Sequence, residues 1–309
     1  MINSSPTVKP TALRDVRVLL LVNRGSGDAK TSLRAHTACL ALQAEGAAVT
    51  FLSFADPVGA LPLLVSESAR ADAIVVVGGD GTVQLAAEVA LQAGLPLGIV
   101  PAGTGNDAAR ALGLPSDPAT AVRNIAKAWG REPRSIDLAR VEMADGGSRH
   151  YLTTLAAGFD AVVNRRANRL RRPKGTLRYV AALLASLPGL ETIHYRLAVD
   201  GVAEERDAVI LTVANGRSFG GGLRIAPAAR LDDGLLDLVT VDPLPRWQLL
   251  VVFPLAFLGW HRLHPAVRIR RVRRVEIVSG GPRCHADGEE LATPPFTVVA
   301  VPGALRILA

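Results

Sequence analysis

The hydrophobic pattern changes character near the middle of the chain. Residues 16–22 form a largely apolar run rich in Val and Leu, as in a strand buried on both faces of a parallel sheet. Residues 31–45 carry helical periodicity, and Gly46 follows as a C-terminal cap. Further strands are predicted at 49–53, 73–77, 97–100 and 135–141. Helices are predicted at 61–70 and 83–93, the latter ended by Gly94, with two more helical segments between Asn106 and Trp129. Strand and helix alternating at this spacing predict an α/β unit with an open, mainly parallel sheet. Ligands in such sheets sit at the carboxyl ends of strands, and Gly-containing loops follow the first, third and fourth strands.

From about Glu142 short β-like runs dominate, at 150–156, 194–199, 208–214, 236–241, 273–278 and 296–301. Asp200-Gly201, Asp233-Gly234, Gly280-Gly281 and Asp287-Gly288 punctuate them as turns. This texture predicts a mainly antiparallel β-sandwich with a few inserted helices. The expected organisation is a loose tail at 1–15, an α/β domain at 16–141 and a sandwich domain at 142–303. A length of 309 residues suits two domains.

Composition removes several classes. With 49% hydrophobic and 20% charged residues, disorder is not expected. Cys39 and Cys284 are too few for a disulfide scaffold or a four-cysteine zinc site, so a reduced, cytoplasmic setting is expected. The start of the chain lacks the apolar stretch of a secretory signal. The longest apolar run, 249–260, is interrupted by Pro254 and is well short of the roughly 20 residues a spanning helix needs.

The formal charge of +7 is unevenly placed. Seven basic residues and no acid lie between Arg165 and Arg178, and six between Arg262 and Arg274. Without these 13 the chain carries 22 basic residues against 28 acidic ones, so its basicity belongs to two short segments. Each borders an apolar stretch, which points to peripheral contact with an anionic membrane surface, at its inner face. If 175–187 is a helix, Tyr179, Leu183 and Leu187 share one apolar face beside the arginines. A solvated basic face without a partner is the competing reading. Nucleic acid is not expected as a partner, because aromatic residues are only 4% and no recognition module is present.

The third predicted strand runs into Gly78-Gly79-Asp80-Gly81-Thr82. Glycines let backbone N–H groups approach an oxyanion, and a following helix N-terminus favours negative charge. Asp80 in such a loop would repel bare phosphate, and makes sense with Mg²⁺ between them. Otherwise Asp80 and Thr82 cap the helix starting near Val83. The fourth strand leads into Pro101-Ala102-Gly103-Thr104-Gly105-Asn106-Asp107. With Ala108 this fits a dinucleotide fingerprint, but it follows the wrong strand and lacks the acidic residue about 20 positions on. No G-x-x-x-x-G-K-[ST] occurs, which excludes a P-loop.

Together, Gly78-Gly79-Asp80-Gly81-Thr82, Pro101-x-Gly103-Thr104-x-Asn106-Asp107 and the upstream Asn23-x-x-Ser26-Gly27 resemble the diacylglycerol kinase catalytic domain. Ala157-Gly158-Phe159-Asp160, Asp232-Asp233-Gly234-Leu235 and Asp287-Gly288-Glu289 resemble the soluble bacterial lipid kinases of that family. The resemblance covers about 16–301. It implies a lipid kinase whose first domain binds ATP, with the active site in the cleft between the domains and residues 304–309 packed back on the first. By the same analogy, Gly78, Gly79, Gly81 and Thr82 cradle the ATP phosphates and Asp80 acts through Mg²⁺. Asn23, Ser26, Gly103 and Thr104 lie on the nucleotide. Ser53 stands where the family has a threonine that contacts ATP. Asp107, Arg110 and Asp137 form an acidic–basic network beside the phosphates, and Glu289 is the general base. A second, structural Mg²⁺ is held by the Asp233 carboxylate with the carbonyls of Arg230 and Leu235.

Two positions depart from the family pattern: Arg24 where proline is usual, and Asp28 where related enzymes can place lysine. The implied activity is ATP- and Mg²⁺-dependent phosphorylation of a lipid hydroxyl, on diacylglycerol or a related glycerolipid. A sphingoid-base or ceramide kinase and a non-catalytic nucleotide-binding regulator are the alternatives. A homodimer is among the assemblies left open.

Overall fold

The computed structural model describes residues 12–23, 29–170, 172–173 and 176–309. Ser26, Arg24, Asp28, Arg171 and Lys174 of the sequence reading lie outside the described residues. The first half alternates β1 (Arg17–Asn23), α1 (Ala29–Ala44), β2 (Ala48–Phe54), α2 (Pro57–Ser68), β3 (Ala73–Gly78), α3 (Asp80–Ala93) and β4 (Leu97–Pro101). The four strands are parallel in the order β2-β1-β3-β4. Every residue of β3 and β4 is buried, which is why their sequences are continuous apolar runs rather than alternating ones. α4 (Asp107–Ala111) and α5 (Pro118–Trp129) follow. Asp117 caps α5 by accepting from the Thr120 N–H, with Pro118 at its first turn.

The second half contains β5 (Arg134–Met143), β6 (Ser148–Tyr151), β7 (Thr154–Ala156), α6 (Phe159–Arg169) and α7 (Thr176–Ser186). Then come β8 (Ile193–Val199), β9 (Val202–Ala208), β10 (Ile210–Ala214), β11 (Leu236–Val241) and α8 (Arg246–Leu258). A 3₁₀ turn (Trp260–Leu263) leads to β12 (Val267–Val272), β13 (Arg274–Ser279), β14 (His285–Ala286), β15 (Glu289–Glu290) and β16 (Phe296–Leu308).

β16 joins the two halves. Its start pairs antiparallel with β13 and β5, and the register shifts between Val301 and Leu305. Its end lies parallel to β4, with Ile307 opposite Leu97 and Leu308 opposite Gly98. The second sheet runs β12-β11-β10-β7-β14-β15, antiparallel throughout. Val141, Leu197, Val275 and Val298 of the first sheet meet Leu211, Val213 and Leu238 of the second in one core. The architecture is therefore an α/β unit with a mainly parallel sheet plus a mainly antiparallel β-sandwich, as the pattern predicts. α6, α7 and α8 cover the outer face of the second sheet, burying Phe159, Val163, Leu183, Leu249 and Val252 against Val209 and Val241.

Two features of the basic segments differ from expectation. Tyr179, Leu183 and Leu187 turn into this helix–sheet core, while α7 exposes Leu177 and Leu184 instead. Helical spacing identifies a face but not what the face meets. Residues 267–272 form an edge strand, and Arg268, Arg270, Arg271 and Arg274 pair with Asp242, Glu204, Asp233 and Glu142. Most of the second basic segment is thus neutralised within the fold.

Candidate active site

Register places the two glycine loops side by side, because Gly78 at the end of β3 lies opposite Pro101 at the end of β4. The Ala102 N–H donates to the Gly78 carbonyl at 2.8 Å. Beyond this the loops touch backbone to backbone: a Cβ on Gly103 would lie 2.5 Å from Gly79 Cα. Only glycine permits that approach. Asn106 closes the second loop, accepting from the Gly103 N–H at 2.8 Å and donating to the Gly103 carbonyl at 2.9 Å.

α3 starts at Asp80, earlier than the predicted 83, so Asp80 sits in its first turn with Gly79 as N-cap. The Asp80 side chain does not cap its own helix. It reaches across to the second loop, where Oδ1 accepts from the Ala108 N–H at 3.1 Å. Gly105 leaves room for it, since a Cβ there would lie 2.7 Å from Asp80 Oδ2. Burial raises the Asp80 pKa against backbone N–H groups that lower it. Asp107 is pushed up to about 6, first by burial and then by the Asp80 charge. It accepts from the Gly221 N–H at 2.8 Å and pairs with Arg110 at 2.5 Å. Arg110 also donates to the Gly105 carbonyl at 2.8 Å, bracing the loop.

These loops form one wall of a cleft of about 1070 Å³. Asn23, Gly78, Gly79, Asp80, Gly81, Thr82, Gly103, Thr104 and Asp107 all line it. Glu289 reaches it from the sandwich side. Its Oε1 would lie 3.6 Å from a Cβ on Gly81, over the start of α3. The adjacent Glu290 turns to Arg283 at 2.7 Å, whereas the Glu289 side chain has no hydrogen-bond or ion-pair partner among the described residues. Asp287 positions the turn that carries Glu289. It is half-buried, with φ 46°, and accepts from the N–H groups of Leu152 at 2.7 Å, Thr153 at 2.8 Å and Thr154 at 3.2 Å. Asn168 of α6 fixes the same turn by donating to the Gly288 carbonyl at 2.6 Å.

The structure leaves other sequence candidates elsewhere. Asp137 does not line the cleft: it accepts from Gly234 N–H at 2.6 Å and Gly303 N–H at 2.8 Å, pinning the register shift of β16. Ser53 is half-buried at the end of β2, opposite Val22, and also lies outside the cleft lining. Sequence reasoning missed Arg178 and Tyr179 as cleft residues. Arg178 was grouped with its basic neighbours, but its Nε is buried without a partner and its guanidinium carbon lies 5.8 Å from the Tyr179 ring centroid. No local pattern separates it from the exposed arginines nearby. His150 and Glu88, paired at 3.1 Å, also line the cleft.

The cleft suits a divalent cation carried in with phosphates. Asp107 is buried and Asp80 half-buried beside it, the Asp80 charge opposes ionisation of Asp107, and a cation would relieve that repulsion. The set formed by Arg230, Asp233 and Leu235 does not fit a cation in the same way. Arg271 contacts the Asp233 carboxylate, which also accepts from the Leu235 N–H at 3.1 Å. Among the described residues, no three His, Cys, Asp or Glu side chains gather as a metal site.

Residues 17–141 match the family model for the diacylglycerol kinase catalytic domain, and residues 153–309 that for the YegS C-terminal NAD kinase beta sandwich-like domain. The chain is 39% identical over 295 residues to a "Diacylglycerol kinase" of Mycobacterium tuberculosis, covering 94% of both chains. It is 34% identical over 245 residues to a "Probable lipid kinase YegS-like" of Stenotrophomonas maltophilia, covering 76% of this chain and 78% of that one. A crystal structure of a diacylglycerol kinase from Bacillus anthracis superimposes with a TM-score of 0.72 at 24% identity, over 94% of this chain and 96% of that one. At that identity the likeness speaks for the fold.

Proposed function

The chain belongs to the diacylglycerol kinase family of lipid kinases, and from that premise we propose that it moves the γ-phosphate of ATP, with Mg²⁺, to the primary hydroxyl of diacylglycerol or a related glycerolipid. One observation carries the reading: the Glu289 carboxylate, unpaired, lies over the first glycine loop, where the N-terminus of α3 meets the cleft. Phosphoryl transfer needs positioning and charge neutralisation more than covalent help. The loops of Gly78 to Thr82 and Thr104 to Gly105 supply N–H groups for the phosphates. Asp80 and Asp107 would hold Mg²⁺, which neutralises phosphate charge when bound. Arg178 adds a cation to the cleft lining. Glu289 takes the proton from the attacking hydroxyl, a role that contributes roughly 10²–10⁴-fold. Asp287 fixes Glu289 through its three backbone N–H contacts.

The glycerolipid assignment rests on the name of the 39% identical relative. The protein is read as two domains, 16–141 and 142–303, with the cleft between them and a membrane surface, at its cytoplasmic side, as its working partner. Radiolabelled ATP offered with a panel of diacylglycerol, phosphatidylglycerol, ceramide and sphingoid bases tests the assignment. Label in phosphatidic acid is the expected result. Label only in the sphingoid or ceramide products overturns the glycerolipid reading, and ATP binding without label in any lipid overturns the catalytic one.

A further inference from the structure

We infer that the outer faces of α8 and the following 3₁₀ turn, continued by α7, form a surface that docks into the interfacial zone of an anionic lipid bilayer. α8 is apolar on both sides. Leu249, Val252 and Ala256 are buried beneath it. The opposite stripe carries Trp247, Leu250, Val251 and Leu258, and the turn adds Trp260 and Leu263, all exposed. A helix covering a soluble core ordinarily presents polar residues there. Leu263 is 76% exposed, Trp247 64% and Trp260 57%, so these are standing side chains and not grazed edges of the core. Scattered exposed apolar residues need no explanation, but a contiguous group does.

The charge pattern selects the occupant. No Asp or Glu occurs between Asp160 and Glu191, or between Asp242 and Glu276, and these stretches supply α7 and α8. α6, α7 and α8 bury their inner faces in one cluster, so their outer faces look to the same side. On that side Arg166, Arg169, Arg172 and Arg262 are exposed, without ion-pair partners among the described residues. Leu177 and Leu184 stand on α7 among them. Tryptophan and leucine flanked by arginine suit the boundary of acyl chains and anionic headgroups. A second copy fits less well, because a two-fold interface would set these arginines against their own copies. Tyr179 lines both the cleft and the small apolar cavity beneath α7 and α8, so one side chain separates that cavity from the cleft.

The purpose of the surface rests on the lipid-phosphorylating reading, but its docking is measured without turnover. Vesicles of phosphatidylcholine, with and without phosphatidylglycerol, are floated with the full chain. Trp247 and Trp260 are two of its three tryptophans, so emission also reports insertion directly. Binding only to the anionic vesicles, with a blue shift and quenching by brominated lipid, is expected. The double variant Trp260→Ser/Leu263→Ser should bind about tenfold or more weakly, and Arg262→Glu should also weaken binding. Leu33→Ser, an exposed apolar control on α1, should bind as wild type. Turnover of the double variant on detergent-dispersed lipid should stay within about twofold of wild type. No affinity of the wild type for anionic vesicles, or unchanged binding of the double variant, overturns the inference. So does a wild-type dimer that the double variant dissociates while vesicle binding persists, since that result gives the surface to a second copy.

Discussion

Asp80 shows how one side chain serves two purposes. Its carboxylate ties the first glycine loop to the second by accepting from Ala108 N–H, and it faces the cleft where a metal-bound phosphate would lie. Asp80→Asn keeps the acceptor and removes the charge, while Asp80→Ala removes both. Both should lose about 10²-fold or more in kcat/KM, equivalent to about 2.7 kcal/mol. Only the alanine variant should also melt at lower temperature, and equal melting in the two would mean the Ala108 contact holds nothing. Asp160 offers a cleaner electrostatic test, because it lies outside the proposed chemistry. It accepts from Gly158 N–H at 2.8 Å and Thr212 Oγ1 at 2.6 Å, and burial pushes its pKa up to about 6. With the folded-state pKa above the unfolded one, the neutral acid stabilises the fold below about pH 4, and that contribution is lost as pH rises through about 6. Asp160→Asn should therefore gain on wild type by ~2–3 kcal/mol between pH 4 and 6 and then run parallel. Denaturant unfolding across that range checks it, and a variant that loses stability relative to wild type as pH rises refutes the sign.

At the scale of elements, the two glycine loops act as one unit because β3 and β4 hold them in register. Gly103→Ala sets a methyl against Gly79 backbone, which cannot yield as a side chain could. It should cost about 1–3 kcal/mol and spread the loops, weakening ATP binding. Gly130→Ala, where nothing lies within 4 Å and φ is −77°, should change neither. Calorimetric titration with ATP and thermal melts of the two variants separate packing at the loop from a general cost of alanine. Elements also explain what the sequence revealed. β3, β4 and their loops were legible because buried parallel strands are continuous apolar runs and glycines mark where they stop. β9, with Glu204, Glu205, Arg206 and Asp207, escaped because an edge strand carries charges that protect it from further pairing. β12 was read as a basic tract for the same reason. The α7 stripe was visible, but the sequence could not say that this stripe packs on the second sheet and leaves the far side exposed. Arg178 and Asp137 needed the fold, since each takes its role from partners distant along the chain.

For the whole molecule, β16 decides whether the parts act together. Its first residues pair with the sandwich and its last with β4, and Leu305, Ile307 and Leu308 are buried. A chain ending at Gly303 should lose several kcal/mol of stability, because three buried aliphatic side chains and the pairing with β4 go together. A melting temperature unchanged by this truncation would show that the terminal pairing is idle. The proposed catalysis rests on Glu289 standing over the first glycine loop. The most direct measurement is transfer of label from radiolabelled ATP to detergent-dispersed diacylglycerol by wild type and by Glu289→Gln, at saturating ATP. Labelled phosphatidic acid is expected from the wild type and about 10²-fold or more lower kcat from the variant, with ATP affinity unchanged. Equal turnover by the variant, or loss of its ATP binding, would contradict it.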